Sequence, residues 1–326
     1  MTEQSAARSV LITGGSGYIG RILVEELTAD RRGLENIVSL DVREVPAAEC
    51  VPGVEYRTGD VRDPDVGKIF REFGVDTVVH LASIVTPGKD SNRDFEYSVD
   101  VLGTRNVLGQ SERAGVQRFL VTSSGAAYGY HSDNPEWLTE EDPLRGQKSF
   151  PYAYHKRLVE EMLAERRAAH PEMGQLVLRP GTILGRGTSN QITALFEWPF
   201  ILGIRGSGSP FVFIWDRDVA QCLVLGIHEG RTGVFNLAGD GALPLRDIAA
   251  RIDKRHIQVP AGAVRTALRI MKPLGLSRYG PEQVDFLRYR PVLSNEKLKS
   301  EFGFTPRMTS AEVFGYYWEC RKNRKG

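Results

Sequence analysis

The sequence has little that would tie it to a polymer, a bilayer or a metal. Its 42 Lys and Arg are matched by 41 Asp and Glu, for a formal charge of +1. The chain as a whole therefore lacks the cationic excess that drives general binding to nucleic acid or acidic membranes. Cysteine is scarce: Cys50, Cys222 and Cys320 lie too far apart for a metal knuckle or a C-x-x-C redox pair, and an odd count argues against a disulfide framework. Reduced, inert thiols in a cytoplasmic protein are the expectation. No run reaches the eighteen or so uninterrupted apolar residues of a spanning helix, and the densest stretch, 192–204, is broken by Glu197 and Pro199. The first residues, MTEQSAARS, lack the apolar core of a secretory leader. His80, His131 and His155 show no ligand spacing, so no metal is expected, and the basic end RKNRKG reads as a solvated tail. The expected partner is a small molecule, not a nucleic acid or a membrane.

What is present is an ordinary folded composition. With 326 residues, 41% hydrophobic and 25% charged, the chain suits one large or two intimate domains. From Ser9, SVLITGGSGYIGRILVEELTAD gives an apolar run, a glycine turn, and then Ile19, Leu23, Val24 and Leu27 at helical spacing. Short β-branched runs follow at NIVSLDV (36–42), VEYRTGDV (54–61), DTVVHLAS (76–83), RFLVTSS (118–124) and QLVLRPG (175–181). Helix-length segments lie between most of them, at 65–73, 95–114 and 152–170. This repeated βαβ pattern predicts an α/β fold, a doubly wound parallel sheet of the Rossmann type. After Gly181 the alternation gives way to a stretch rich in Gly, Pro and aromatics, then to a further strand and helix in VFIWDRDVAQCLVLGIHE. We therefore expect a dinucleotide-binding domain over 1–181, with 212–237 returning to it. A smaller interleaved α/β domain over 182–326 would bind substrate.

TGGSGYIG spaces Gly14, Gly17 and Gly20 between a strand and a helix. Such a loop turns tightly, lets backbone approach a pyrophosphate, and aims a helix N-terminus at the anion. Asp41 falls about twenty residues later, at the end of the second strand, where a carboxylate meets the adenosine ribose. A carboxylate accepts two ribose hydroxyls and repels a 2′-phosphate, which favours NAD over NADP; Arg43 keeps the second cofactor open. In YAYHK, Tyr152 and Lys156 stand four apart at a helix start, so both side chains project from one face. A nearby ammonium stabilises a phenolate, and the two together make a proton shuttle. With 11 Tyr in the chain, such a pair arises by chance in roughly a third of similar sequences. Its weight comes from context: it opens the helix after a strand that ends in TSSGAAYG, at the carboxyl edge where ligands of such sheets bind.

These residues together resemble an extended short-chain dehydrogenase/reductase of the NAD-dependent epimerase/dehydratase family, over nearly the whole chain. The resemblance implies a nucleotide loop that includes Gly14, Gly17, Tyr18 and Ile19, with Asp41 as the ribose acid. It places adenine contacts at Asp60 and Val61, and a cofactor-lining loop at Leu81, Ala82 and Ser83. Thr122, Pro180 and Thr182 would stand near the nicotinamide. The catalytic set would be Ser124, Tyr152 and Lys156, with Thr86, Ser124, Ala126, Arg186 and Trp215 toward substrate. It also implies a homodimer through the helices at 95–114 and 152–170.

Departures from the family pattern narrow the chemistry. Sugar dehydratases carry an Asp-Glu pair after the catalytic hydroxyl, where this chain has Gly125 and Ala126, and no cysteine adjoins Ser124. Nucleotide-sugar enzymes place an Asn and an Arg on the diphosphate where this chain has Thr182 and Phe211. The loss of that guanidinium removes a bidentate clamp that Arg186, Arg205 or Arg217 could replace. Asp100 stands where the family often has Asn. By its helical position, His155 is expected to face away from Tyr152 as a structural or exposed residue. The aromatics Phe196, Trp198, Phe200, Phe211, Phe213 and Trp215 either line a pocket or fill an interdomain core. The expected activity is NAD-dependent hydride transfer at a secondary alcohol or ketone carbon. Epimerisation of a sugar or nucleotide sugar shares that step, and a non-catalytic NAD sensor or scaffold is the alternative of another class.

Overall fold

β1 (Ser9–Thr13) is buried at all five positions because it runs between two parallel neighbours, β2 (Asn36–Asp41) and β4 (Thr77–His80). The computed structural model describes residues 6–85, 92–208, 210–277 and 280–324. Seven parallel strands form one sheet, completed by β3 (Glu55–Thr58), β5 (Arg118–Thr122), β6 (Gly174–Pro180) and β10 (Gly233–Leu237). Their order is β10-β6-β5-β4-β1-β2-β3. Strand order reverses between β1 and β4, and this is the crevice where open α/β sheets bind their ligands.

Both faces of the sheet are covered, which explains its continuous apolar strands. The helices Tyr18–Ala29 and Asp216–Glu229 bring Leu23, Leu27, Val219, Leu223 and Ile227 onto one face. Helix Val66–Phe73, the long helical segment 93–114 and helix Pro151–Ala169 bring Phe70, Val107, Leu108, Val159 and Leu163 onto the other. Segment 93–114 contains a π-helical stretch, Ser98–Gly103, which carries Asp100. Such stretches insert an extra residue into a helix and turn its side chains to new directions.

The strands are shorter than the sequence runs. β2, β3, β4 and β5 stop at Asp41, Thr58, His80 and Thr122. The residues left over, among them Asp60, Val61, Ser83 and Ser124, form loops at the carboxyl edge. Beyond β6, β7 (Thr182–Leu184) pairs with β9 (Phe213–Trp215), and β8 (Phe200–Ile204) pairs with β11 (Arg255–Val259). A separate core of Phe196, Phe211, Phe213, Leu245, Ile248, Phe314 and Tyr317 holds this second layer together. Among the described residues no helix is long and apolar enough to cross a membrane.

Candidate active site at the carboxyl edge of the sheet

Gly14 has φ +68°, and a Cβ there would come within 2.7 Å of the Ala82 nitrogen and 2.8 Å of the Leu81 carbonyl carbon. The glycine loop thus lies directly on the loop after β4. A Cβ on Gly17 or Gly20 would press on the Gly14 carbonyl oxygen at 2.9 and 2.4 Å. Only a bare backbone fits this turn, and it leaves a surface that a pyrophosphate can approach. The helix beginning at Tyr18 follows, with Ile19 packed against the core. Asp41, buried at the end of β2, accepts the Ser16 and Arg43 N–H groups, both at 3.1 Å. Beside it a cleft of about 170 Å³ is lined by Ser16, Ser39, Arg43, Tyr56 and Thr58. Asp60 is bound by the Arg62 guanidinium, which holds its carboxyl below the usual range, and Val61 is buried against Gly103. Shape, backbone donors and a buried carboxylate, which the Arg43 guanidinium approaches at 3.4 Å, make this half of the crevice fit a dinucleotide.

The Tyr18 hydroxyl donates to Asp216 at 2.5 Å and accepts from Thr188 at 3.0 Å. Its phenol is pushed up by burial and by that carboxylate. The contact ties the first turn of the nucleotide helix to the loop after β7.

Ser124 caps the short turn Gly125–Tyr128, its Oγ accepting the Ala126 N–H at 3.1 Å. Tyr152 lies in the first turn of helix Pro151–Ala169, near Ser124; burial pushes its phenol up to about 12, while the Ser124 hydroxyl opposes that rise. One turn on, Lys156 is buried and donates from Nζ to the Thr122 carbonyl at 3.0 Å, with Nζ 5.6 Å from the centre of the Tyr152 ring. Desolvation pulls this ammonium down, and Asp100 and Glu160 oppose the effect. Ser124, Tyr152 and Lys156 therefore meet at the ends of β5 and the following helix. Pro180 ends β6 in the same sheet, and the Thr182 N–H is tied to Val212 O at 3.0 Å.

Asp100 acquires a definite place. Its Oδ1 accepts Ser83 Oγ at 3.0 Å and the Ile84 N–H at 2.8 Å, and its Oδ2 faces His155 Nδ1 at 3.0 Å. His155 is accordingly buried and not exposed. It faces a carboxylate that acts electrostatically on both Tyr152 and Lys156. His80, deep in the same cluster, bridges Thr13 Oγ1 (2.7 Å) and Thr104 Oγ1 (2.9 Å), and burial pulls it down to about 3.

On the substrate side the expectations divide. Thr86 lies outside the described residues. Arg186 is exposed, and Arg217 is engaged by Glu25 and Glu26 on the nucleotide helix. Trp215 packs edge-on against Tyr316 and under the Arg307 guanidinium, near the C-terminal helix Ser310–Lys322. Phe196, Phe211 and Phe213 fill the core of the second layer, whereas Trp198 is exposed. The cation that does reach Phe211 is Arg290, whose guanidinium lies 3.9 Å from that ring centre and 5.3 Å from Phe286. Phe286 in turn packs edge-on against Tyr130 at 5.3 Å, and Tyr130 is close enough to Tyr152 for its phenol to be pushed up by it, after burial. Sequence reading missed Tyr130, Phe286 and Arg290, since no motif spans them. The one available signal was FLRYRP, an aromatic and basic cluster just before the C-terminal landmarks.

Comparison with known proteins follows this geometry. A family model described as the NAD dependent epimerase/dehydratase family matches residues 10–238. A UDP-glucose 4-epimerase of Pasteurella multocida is 30% identical over 287 residues, covering 77% of this chain and 84% of that protein. An uncharacterized protein of Mycobacterium tuberculosis is 22% identical over 316 residues, covering 96% and 84%. The crystal structure of Thermus thermophilus UDP-glucose 4-epimerase with NAD superposes with a TM-score of 0.73 at 24% identity, over 96% of this chain and 99% of that one.

Proposed function

The chain belongs to the NAD-dependent epimerase/dehydratase family, its cofactor is NAD, and from that premise we propose that it transfers hydride at a secondary alcohol or ketone carbon. The observation that carries this reading is the meeting of Ser124, Tyr152 and Lys156 at the crevice. Ser124 Oγ holds the substrate oxygen and Tyr152 exchanges a proton with it. Lys156, pinned to the Thr122 carbonyl, keeps its ammonium beside the phenol ring and favours the phenolate when the proton leaves. At rest the raised phenol is protonated, which readies the site to deliver a proton to a ketone oxygen. Bound NAD supplies the redox partner for the carbon that Ser124 and Tyr152 position.

Net oxidation and epimerisation share these residues. The UDP-glucose 4-epimerases among the relatives support epimerisation, and Arg290 over Phe211 restores a cation near the absent clamp. Gly125 and Ala126 supply no carboxyl group for sugar dehydration. Incubation with candidate sugars, nucleotide sugars and apolar ketones separates the readings: stoichiometric NADH absorbance marks a dehydrogenase, and interconversion without it marks an epimerase. Tyr152→Phe should lose on the order of 10²–10⁴ of the rate. A variant that turns over as fast as the parent would remove Tyr152 from the chemistry and favour a sensor or scaffold. The same reading includes a cytoplasmic homodimer, supported by three free thiols and by exposed Phe95 and Leu102 on segment 93–114.

A further inference from the structure

Helix Ala261–Met271 has no buried residue. Its half-buried positions, Ala261, Val264, Arg265 and Leu268, mark the side toward the protein. The opposite side carries Ala263, Ala267 and Ile270, a spacing that Leu274 continues into the following turn. This is the pattern of an amphipathic helix with its apolar stripe turned outward. Ile270 is 57% exposed, Met271 37%, Leu274 64% and Leu276 68%. Between Asp253 and Glu282 the sequence contains no acidic residue, while Lys254, Arg255, Arg265, Arg269 and Lys272 all fall within it. Arg265 pairs with Asp285 and Lys272 with Glu282, and Arg269, on the exposed flank, has no ion pair among the described residues.

We propose that this outward stripe and its cationic flank form a docking surface for an anionic lipid bilayer. A helix of this length does not span; it lies in the headgroup plane with Ile270, Met271, Leu274 and Leu276 inserted and Arg269 on the phosphates. A second copy of the chain suits the surface less well, because a two-fold contact sets the same cations against each other. The balanced charge of the whole chain averages over this patch. The docked element also adjoins the site: Arg265 holds Asp285 on helix Gln283–Arg288, and Phe286 of that helix packs on Tyr130 beside Tyr152. The proposal goes beyond the hydride-transfer reading and is tested without it.

The full chain should float with vesicles of equal parts phosphatidylcholine and phosphatidylglycerol, not with phosphatidylcholine alone, and should be released by raised salt. Leu274→Ser with Leu276→Ser, and separately Arg269→Glu, should each weaken binding about tenfold, with circular dichroism and melting unchanged. Absence of flotation with the acidic vesicles overturns the proposal, as does equal binding by both variants. So does a parent dimer that the Leu274/Leu276 variant splits into monomers without loss of vesicle binding, since a second copy would then be the occupant.

Discussion

Asp100 puts a full negative charge where a neutral amide would make the same backbone contacts. Its carboxylate raises the Tyr152 phenol and supports the Lys156 ammonium. Asp100→Asn keeps an oxygen for Ser83 and Ile84, and His155 can meet the new amide through its other tautomer, so charge changes more than shape. The Tyr152 phenol should then ionise at lower pH, and the alkaline limb of the pH–rate profile should move toward neutrality. An unmoved limb would separate Asp100 from the proton shuttle. His80 gives a second prediction. Its folded pKa is pulled down to about 3 from an ordinary 6.5, so the unfolded chain takes up the proton first as pH falls. Stability is full above 6.5 and is lost below it, by about 1 kcal/mol at pH 5.5 and about 2–3 kcal/mol at pH 4.5. His80→Asn should flatten that slope in urea melts taken across this range. Of this cluster, Tyr152 and Lys156 were legible because one helical turn joins them. Asp100 and His155 were not, because their pairing depends on two helices packing and on a π-helical stretch that no local pattern announces.

At the scale of elements, the glycine loop and the buried Glu160–Arg179 ion pair each hold several elements together. Gly14→Ala would place a methyl group 2.7 Å from the Ala82 nitrogen at a left-handed φ, and backbone on both sides has no room to yield. The change should cost about 2 kcal/mol or more, lower the melting temperature, and weaken NAD binding measured by calorimetry. Next to Ser124, Ser123 Oγ donates to Glu160 at 2.5 Å and Arg179 donates to the same carboxylate, linking β5, β6 and helix Pro151–Ala169. Arg179 also reaches the Tyr128 hydroxyl at 2.7 Å. Glu160→Leu would strand a buried guanidinium, so unfolding in denaturant should show a loss of about 3–5 kcal/mol. Strand positions were legible because parallel strands buried on both faces are continuously apolar. Their carboxyl ends were not, because a loop that leaves a sheet to face ligand keeps apolar or small residues such as Val61 and Ala82 where solvent would have favoured polar ones.

Over the whole molecule, a balanced net charge conceals two exposed apolar faces, one flanked by an unpaired cation and one by paired charges of both signs. One surrounds helix Ala261–Met271, where Arg265 and Lys272 pair with Asp285 and Glu282 and Arg269 has no ion pair among the described residues. The other spans segment 93–114 and helix Pro151–Ala169, where Phe95 and Leu102 are exposed, Met162 is half-buried, and Arg157–Glu161 and Glu112–Arg166 pair opposite charges. A second copy can meet this second face without stacking like charges, so a two-fold contact forms here more readily than at the cationic helix. Sedimentation at micromolar concentration should therefore show twice the chain mass. Leu102→Glu, which sets a carboxylate against its own copy across the axis, should shift that species to the monomer while vesicle flotation persists. A monomeric parent would remove the dimer. A dimer indifferent to Leu102→Glu but broken at Leu274 and Leu276 would exchange the roles of the two faces.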